Sequence, residues 1–250
     1  MTDVGGNEAS FDDLAADEHQ YRTGYSSELF DELVVLGLTP GTTVLDIACG
    51  SGIASAPLVA RGCKLTGVDP SAAMLACART RVPEATFVLG SAEKLPFSDR
   101  YFDNAICAQA FHWFDQPRAF AEAIRVVKPG GNVAVWWKRL THDAAIRAIR
   151  TAASDEVAVP SSKEVLGGSF GAYYGAAFRE RRLRVLPFTW RTTVKTWVGY
   201  EHSRATARNA FGAKRDAYLK ALERRLVKEA GSLDSTMIAP YMQYVYIGVV

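Results

Sequence analysis

Two carboxylates stand 23 positions apart, each at the end of a short apolar run: Asp46 in "VLDIACGSGIAS" and Asp69 in "KLTGVD". Asp46 lies inside a turn with two closely spaced glycines, Gly50 and Gly52. A glycine turn behind a strand brings the unpaired amides of a helix N-terminus close to a ligand. An acid at the tip of the next strand can accept both hydroxyls of a ribose, although an aspartate ahead of Pro70 can also simply cap a helix. The residue types narrow the ligand further. A dinucleotide fingerprint requires G-x-G-x-x-G, and Ser55 stands where the third glycine belongs. No G-K-[ST] follows, which removes the phosphate-binding loop of nucleotide triphosphatases. A pyrophosphate would meet Asp46 as a like charge, whereas a cationic ligand would find a counter-ion there.

His112, in "AQAFHWF", is the histidine with a chemical context. It suits a general base at the mouth of a site, or a packing role among Phe111, Trp113 and Phe114; both readings stay open. His19, His142 and His202 have no comparable surroundings. Trp113, Trp137 and Tyr173 are expected on the substrate side, where aromatic walls favour an apolar or planar small molecule. Trp136, Tyr174, Trp190 and Trp197 belong to the same aromatic set, and some members of the whole set are expected in the core. The basic stretches "FRERRLR" and "KRDAYLKALERRLVK" either attract an acidic substrate or form solvated faces.

Positioning these groups requires a particular frame. "SSELFDELVVLGL" reads as a helix capped by Ser26 or Ser27 and stopped by "LTPGT". "TVLDIA", "KLTGVD", "ATFVLG", "FDNAICAQ" and "NVAVWW" read as strands, and helix-like segments alternate with them: "SGIASAPLVARG", "PSAAMLACARTRV" and "QPRAFAEAIRVVKPGG". That alternation predicts a doubly wound α/β fold with a mostly parallel sheet, whose ligands bind at the carboxyl ends of the strands. After Trp137 the pattern loosens. "LRVLPFTWRTTV" and "MQYVYIGVV" read as two final strands separated by one long amphipathic helix, pairing at the sheet edge. The expected organisation is an arm over 1–25 and one domain over 26–250, with 138–180 as a helical cap inserted over the ligand face.

The 250 residues suffice for a full core, and a net charge of +2 gives no reason to expect nucleic acid. The polar, acidic start lacks the features of a signal peptide, and no run is long enough to span a bilayer. Cysteines at 49, 63, 77 and 107 form no CxxC and no zinc spacing. Reduced thiols in a cytoplasmic protein without a metal are the expectation.

"VLDIACGSGIAS", "GVDPSAAMLACA", "GSAEKLPF", "FDNAICAQAFHWF" and "AIRVVKPGG", in that order, resemble the class I S-adenosylmethionine-dependent methyltransferases. Within them the chain is similar to the type 11 branch, which includes the ubiquinone and menaquinone biosynthesis methyltransferases. The resemblance covers about residues 25–140. It implies a seven-stranded sheet with an antiparallel last strand, S-adenosylmethionine as cofactor, and a small-molecule acceptor methylated on O, N or C. Asp46 and the backbone of Ala48, Cys49, Gly50 and Gly52 would face the methionine portion. Asp69 would hold the ribose, with Pro70, Ser71 and Met74 beside the adenine, Ser91, Ala92 and Glu93 along its edge, and Gln109 beneath the cofactor. Serine at 91 departs from the family's usual aspartate and removes a charge-assisted bond. "YRTGY" resembles the family's arm, in which Tyr21 or Arg22 would reach the cofactor carboxylate. The sequence lacks the D/N-P-P-Y/F motif and the Pro-Cys nucleophile of DNA methyltransferases. A module that binds the cofactor without transferring a methyl group remains the alternative; a nicotinamide enzyme is disfavoured by the missing glycine.

Overall fold

The computed structural model describes residues 21–141, 144–158, 170–178, 180–204 and 211–250. Seven strands form one sheet in the order β3-β2-β1-β4-β5-β7-β6. They are β1 (Thr43–Ile47), β2 (Lys64–Asp69), β3 (Thr86–Leu89), β4 (Phe102–Ala108), β5 (Val127–Leu140), β6 (Glu180–Thr193) and β7 (Thr236–Val249). The pairs among β1 to β5 are parallel, and β7 runs antiparallel to both β5 and β6. The strand order reverses between β1 and β4, which places the crevice where the sequence puts its acidic and glycine-rich turns.

Eight helices accompany the sheet among the described residues: α1 (Ser27–Val35), α2 (Ser55–Ala60), α3 (Ala72–Arg81), α4 (Gln116–Val126), α5 (Ala144–Glu156), α6 (Phe170–Ala177), α7 (Val194–His202) and α8 (Arg215–Ala230). Their starts follow from capping. Ser26 accepts the Leu29 amide at α1, Ser71 the Met74 amide at α3, Asp115 the Arg118 amide at α4 and Thr193 the Thr196 amide at α7. Helix α1 buries Leu29, Phe30 and Leu33, each contributing about 2 kcal/mol of apolar burial.

Three apolar clusters hold the layers together. One face of the sheet packs Val44, Ile106 and Trp136 under α1, α2 and α3. The other packs Leu45, Cys107 and Val135 under α4 and α6, with Phe120, Tyr174 and Phe178 among its rings. The third joins α5, α7 and α8 to the carboxyl-terminal end of β6 and the start of β7 through Trp197, Tyr218, Leu222 and Tyr241. Inside this layer Glu201 is 1% exposed; burial disfavours its charge, yet Arg150 and Arg204 hold its carboxyl below the ordinary glutamate range and keep it ionised.

Two sequence expectations change. The segment between the final strands holds α7 as well as α8, because Thr193 caps a second, two-turn helix that includes Gly199. Helix α4 ends at Val126, and "VKPGG" opens the long strand β5 instead of closing the helix.

Side-chain hydrogen bonds tie the amino end of the sheet together. Asp103 accepts the Thr43 amide and hydroxyl and the Lys128 ammonium, each at 2.7 Å. The Lys128 bond and the Thr43 amide draw its carboxyl down to about 2. Beside it, Asn132 donates to the Leu36 carbonyl and to Asn104, and Asn104 donates to the Gly37 carbonyl.

Candidate active site

Strand β1 delivers Asp46 to the crevice with its side chain on the α2 side of the sheet. It is 0% exposed. Ser55, in the first turn of α2, donates to its Oδ2 at 2.6 Å, while Oδ1 is fully enclosed without a partner. Burial is the main reason its carboxyl is pushed up to about 7, with the Asp69 charge adding to the effect. An enclosed carboxylate oxygen without a donor costs stability on its own and is compensated by a cation or a donor supplied from outside the fold.

The backbone beside it is specialised. Ala48 follows β1 at φ 54°, and Gly50 and Gly52 follow at φ 53° and 77°. At Gly52 an added Cβ would also come to 3.4 Å from the Ala78 Cα, so the turn both needs the left-handed region and packs against α3. Cys49 turns its side chain into the core, leaving only its backbone to the crevice. At the end of β2, Asp69 takes the Gly50 amide on Oδ2 and the Ser71 amide on Oδ1, both at 2.9 Å. These bonds orient the carboxylate at the strand end. Pro70 is exposed, whereas Met74 is 1% exposed.

After β3, Ser91 forms a lone bridge with Lys94, and Ala92 packs into the core. Glu93 accepts the Asp115 amide at 3.1 Å, which ties this loop to the start of α4. After β4, Gln109 stands at φ 60°, a second non-glycine residue in the left-handed region at a strand end. Its amide donates to the Trp136 carbonyl and its side chain to the Lys138 carbonyl. Strained residues held by such bonds cluster where a fold prepares a site.

His112 occupies a single 3-10 turn, Phe111–Trp113, just beyond Gln109. Trp137 donates its indole N–H to His112 Nδ1 at 3.2 Å. Burial keeps the imidazole neutral, drawing its pKa down to about 4. Trp113 stacks beside it with ring centroids 4.8 Å apart. Trp137 itself is 5% exposed and belongs to the core, so it acts on the crevice through His112. The side chain of Tyr173 falls outside the described residues.

Tyr21 and Arg22 dock on α7. Tyr21 packs so closely on Gly199 that an added Cβ would lie 2.5 Å from its ring. Arg22 donates to the Ser203 hydroxyl and carbonyl at 3.3 and 3.2 Å. The arm's anchor is one that sequence reasoning missed, Lys138. Its Nζ donates to the Thr23 and Gly24 carbonyls, both at 3.0 Å, and sits 5.3–5.4 Å from the ring centres of Tyr25, Phe188 and Tyr241. Burial pushes its ammonium well below the ordinary lysine range. A lysine directly after "VAVWW" reads as a strand end meeting water, and the arm folding back encloses it. Ser26 and Gln243 complete the closure through two reciprocal bonds, from the Ser26 amide at 3.1 Å and to its hydroxyl at 2.7 Å.

Among the described residues no group of histidines, cysteines and acids could hold a metal, and no helix is long and apolar enough to cross a membrane. The four cysteines are free thiols.

Residues 45–135 match the methyltransferase domain family of type 11. An uncharacterized methyltransferase of Mycobacterium tuberculosis is 36% identical over 129 residues, 52% of this chain and 51% of that protein. A demethylmenaquinone methyltransferase of Renibacterium salmoninarum is 38% identical over 101 residues, 40% of this chain and 43% of that protein. The chain thus spans about half the length of the curated relatives it matches. A structure assigned as a type II methyltransferase from Anaeromyxobacter dehalogenans aligns with TM-score 0.68 at 25% identity, covering 92% of this chain and 98% of that one. The [4+2]-cyclase SpnF shares the fold alone, with TM-score 0.51 at 18% identity, 91% of this chain and 84% of that one. Residues 45–135 are thus similar to the type 11 methyltransferase domain, and the seven-stranded sheet order is that of the class I methyltransferase fold.

Proposed function

We propose that the chain is an S-adenosylmethionine-dependent methyltransferase acting on a small, apolar or aromatic molecule. The observation that carries this reading is the enclosed, unpartnered Oδ1 of Asp46. A negative oxygen sealed at the carboxyl end of β1 suits a cofactor whose amino-acid portion is positively charged near its sulfonium. When bound, S-adenosylmethionine supplies a methyl group already activated for in-line displacement, so the protein's work is positioning and electrostatics.

In this reading Asp46 and the Ala48–Gly52 backbone hold the methionine portion, and Asp69 takes the ribose hydroxyls. Met74, Ser91 and Ala92 border the adenine, and Gln109 shapes the floor. With Glu93 engaged at Asp115 and serine at 91, adenine recognition rests on neutral hydrogen bonds and contact. The arm held by Lys138 excludes water from one side. Helix α5, together with α7 and α8, forms the cap on the acceptor side, where Trp113 and His112 offer an aromatic wall.

Calorimetric titration with S-adenosylmethionine, beside NAD and beside an Asp69→Ala variant, tests the reading. Saturable binding of the sulfonium compound alone, weakened in the variant by about 10- to 100-fold, is expected. No binding, or a preference for NAD, sinks it. The second reading, a binder without turnover, gains weight because the same fold serves a cyclase. Release of S-adenosylhomocysteine with any acceptor in a panel of phenols, quinols, amines and thiols removes it.

A further inference from the structure

We propose that His112 meets the methyl acceptor as a hydrogen-bond donor through Nε2–H, and that it takes no proton from it. The inference rests on the methyltransferase reading and assigns one residue's part in it. The indole nitrogen of Trp137 can only donate. Its N–H lies 3.2 Å from His112 Nδ1, so Nδ1 must offer its lone pair, and the single imidazole proton resides on Nε2. Both lone-pair positions that a base needs are thereby taken: one by the indole, the other by the proton.

Nε2 makes no hydrogen bond among the described residues. It is also not sealed in the interior as Asp46 Oδ1 is. His112 is only partly buried, so this N–H remains open to a ligand at the carboxyl end of β4. Burial acts in the same sense, because it resists a charge on the ring. A donor in this place selects an acceptor that presents an oxygen lone pair, as a carbonyl or phenolate does, beside the atom to be methylated. The Trp113 ring next to it fits a planar body. The proton that such an acceptor gives up passes to solvent, so the reactive form is the one already ionised in water. Trp137 is then a positioning residue: it sets the tautomer without touching the acceptor.

Protein labelled with 15N-histidine reads the tautomer directly, before any acceptor is known. One protonated nitrogen at Nε2 and no ring protonation down to about pH 5 is expected, with the tautomer preference lost in Trp137→Phe. A proton on Nδ1, or titration near the ordinary histidine value, overturns the proposal while cofactor binding measured by calorimetry stands independently. Failure of the cofactor to bind removes the methyltransferase reading and this proposal together. With an acceptor from the phenol and quinol panel, His112→Ala lowers turnover per KM by about tenfold. His112→Gln, which restores an N–H near the Nε2 position, recovers most of that loss. If glutamine recovers nothing, the donor role fails.

Discussion

The two ends of the sheet treat a strand aspartate in opposite ways: Asp103 is half-buried, and Asp46 is fully enclosed. At the amino end, Asp103 collects an amide, a hydroxyl and an ammonium, and is held more acidic than in water. At the carboxyl end, Asp46 receives one hydroxyl, keeps one oxygen unpaired and is held less acidic by its burial. The same contrast extends to their neighbours. Asn104 and Asn132 satisfy each other and two carbonyls, whereas Ala48 and Gln109 hold left-handed backbones and Lys138 is buried beside carbonyls and rings with no carboxylate. One end maximises stability; the other stores unmet polar demand for a ligand. A fold can maintain the second because the first is complete.

The comparison can be broken most directly at Asp46. Its raised carboxyl contributes stability that is present below about pH 4 and lost as pH rises through about 7. Asp46→Asn removes that dependence, so above pH 7 the ligand-free variant is expected to be more stable than the parent, by up to about 4 kcal/mol. The same variant is expected to bind S-adenosylmethionine about 100-fold more weakly. Thermal melts at pH 5 and pH 8, with and without the cofactor, show both effects. A variant less stable than the parent at pH 8 would mean the carboxylate is paired after all.

Asp103→Ala sharpens the contrast from the other side. It is expected to cost about 2 kcal/mol, lowering Tm by several degrees, with cofactor affinity unchanged. Its lowered carboxyl places its contribution above about pH 4, and that contribution fades as pH falls toward 2. A change in cofactor affinity in this variant would mean the two ends are coupled.

The smallest effect is expected at Lys138→Met. The methionine keeps the aromatic contacts but releases the Thr23 and Gly24 carbonyls, so limited proteolysis near residues 21–25 should quicken. Cofactor affinity should fall only a few-fold, because a neutralised strap loosens without removing a direct contact. Unaltered proteolysis would assign the strap to Arg22, Ser26 and Gln243 instead.

Much of the frame was legible before folding. The alternation from "TVLDIA" to "NVAVWW" prescribes five parallel strands, and the two strand-end aspartates mark the crevice, because period and turn chemistry are local properties. The second half was less readable. Helix α7 has only two turns and contains Gly199 among β-branched residues, so propensity alone does not announce it. What Lys138 does depends on Thr23 and Gly24, more than a hundred positions away, and no local pattern encodes that meeting. The partner of His112 was within reach, since an indole and an imidazole near adjacent strand ends are natural partners. Which ring nitrogen accepts, and so whether the histidine is base or donor, depends on a three-dimensional angle.

The reciprocal bonds between Ser26 and Gln243 span 217 positions, and β7 lies between β5 and β6 although it follows both in the chain. On a ribosome, residues 21–141 would emerge with the crevice's glycine turn and both acids already made. The flank of β5 would stay bare, and the arm would have no Gln243 to hold it. The crevice therefore closes only after β7 and Gln243 have been made. Until then a nascent chain carries an exposed strand edge that calls for shielding by a chaperone.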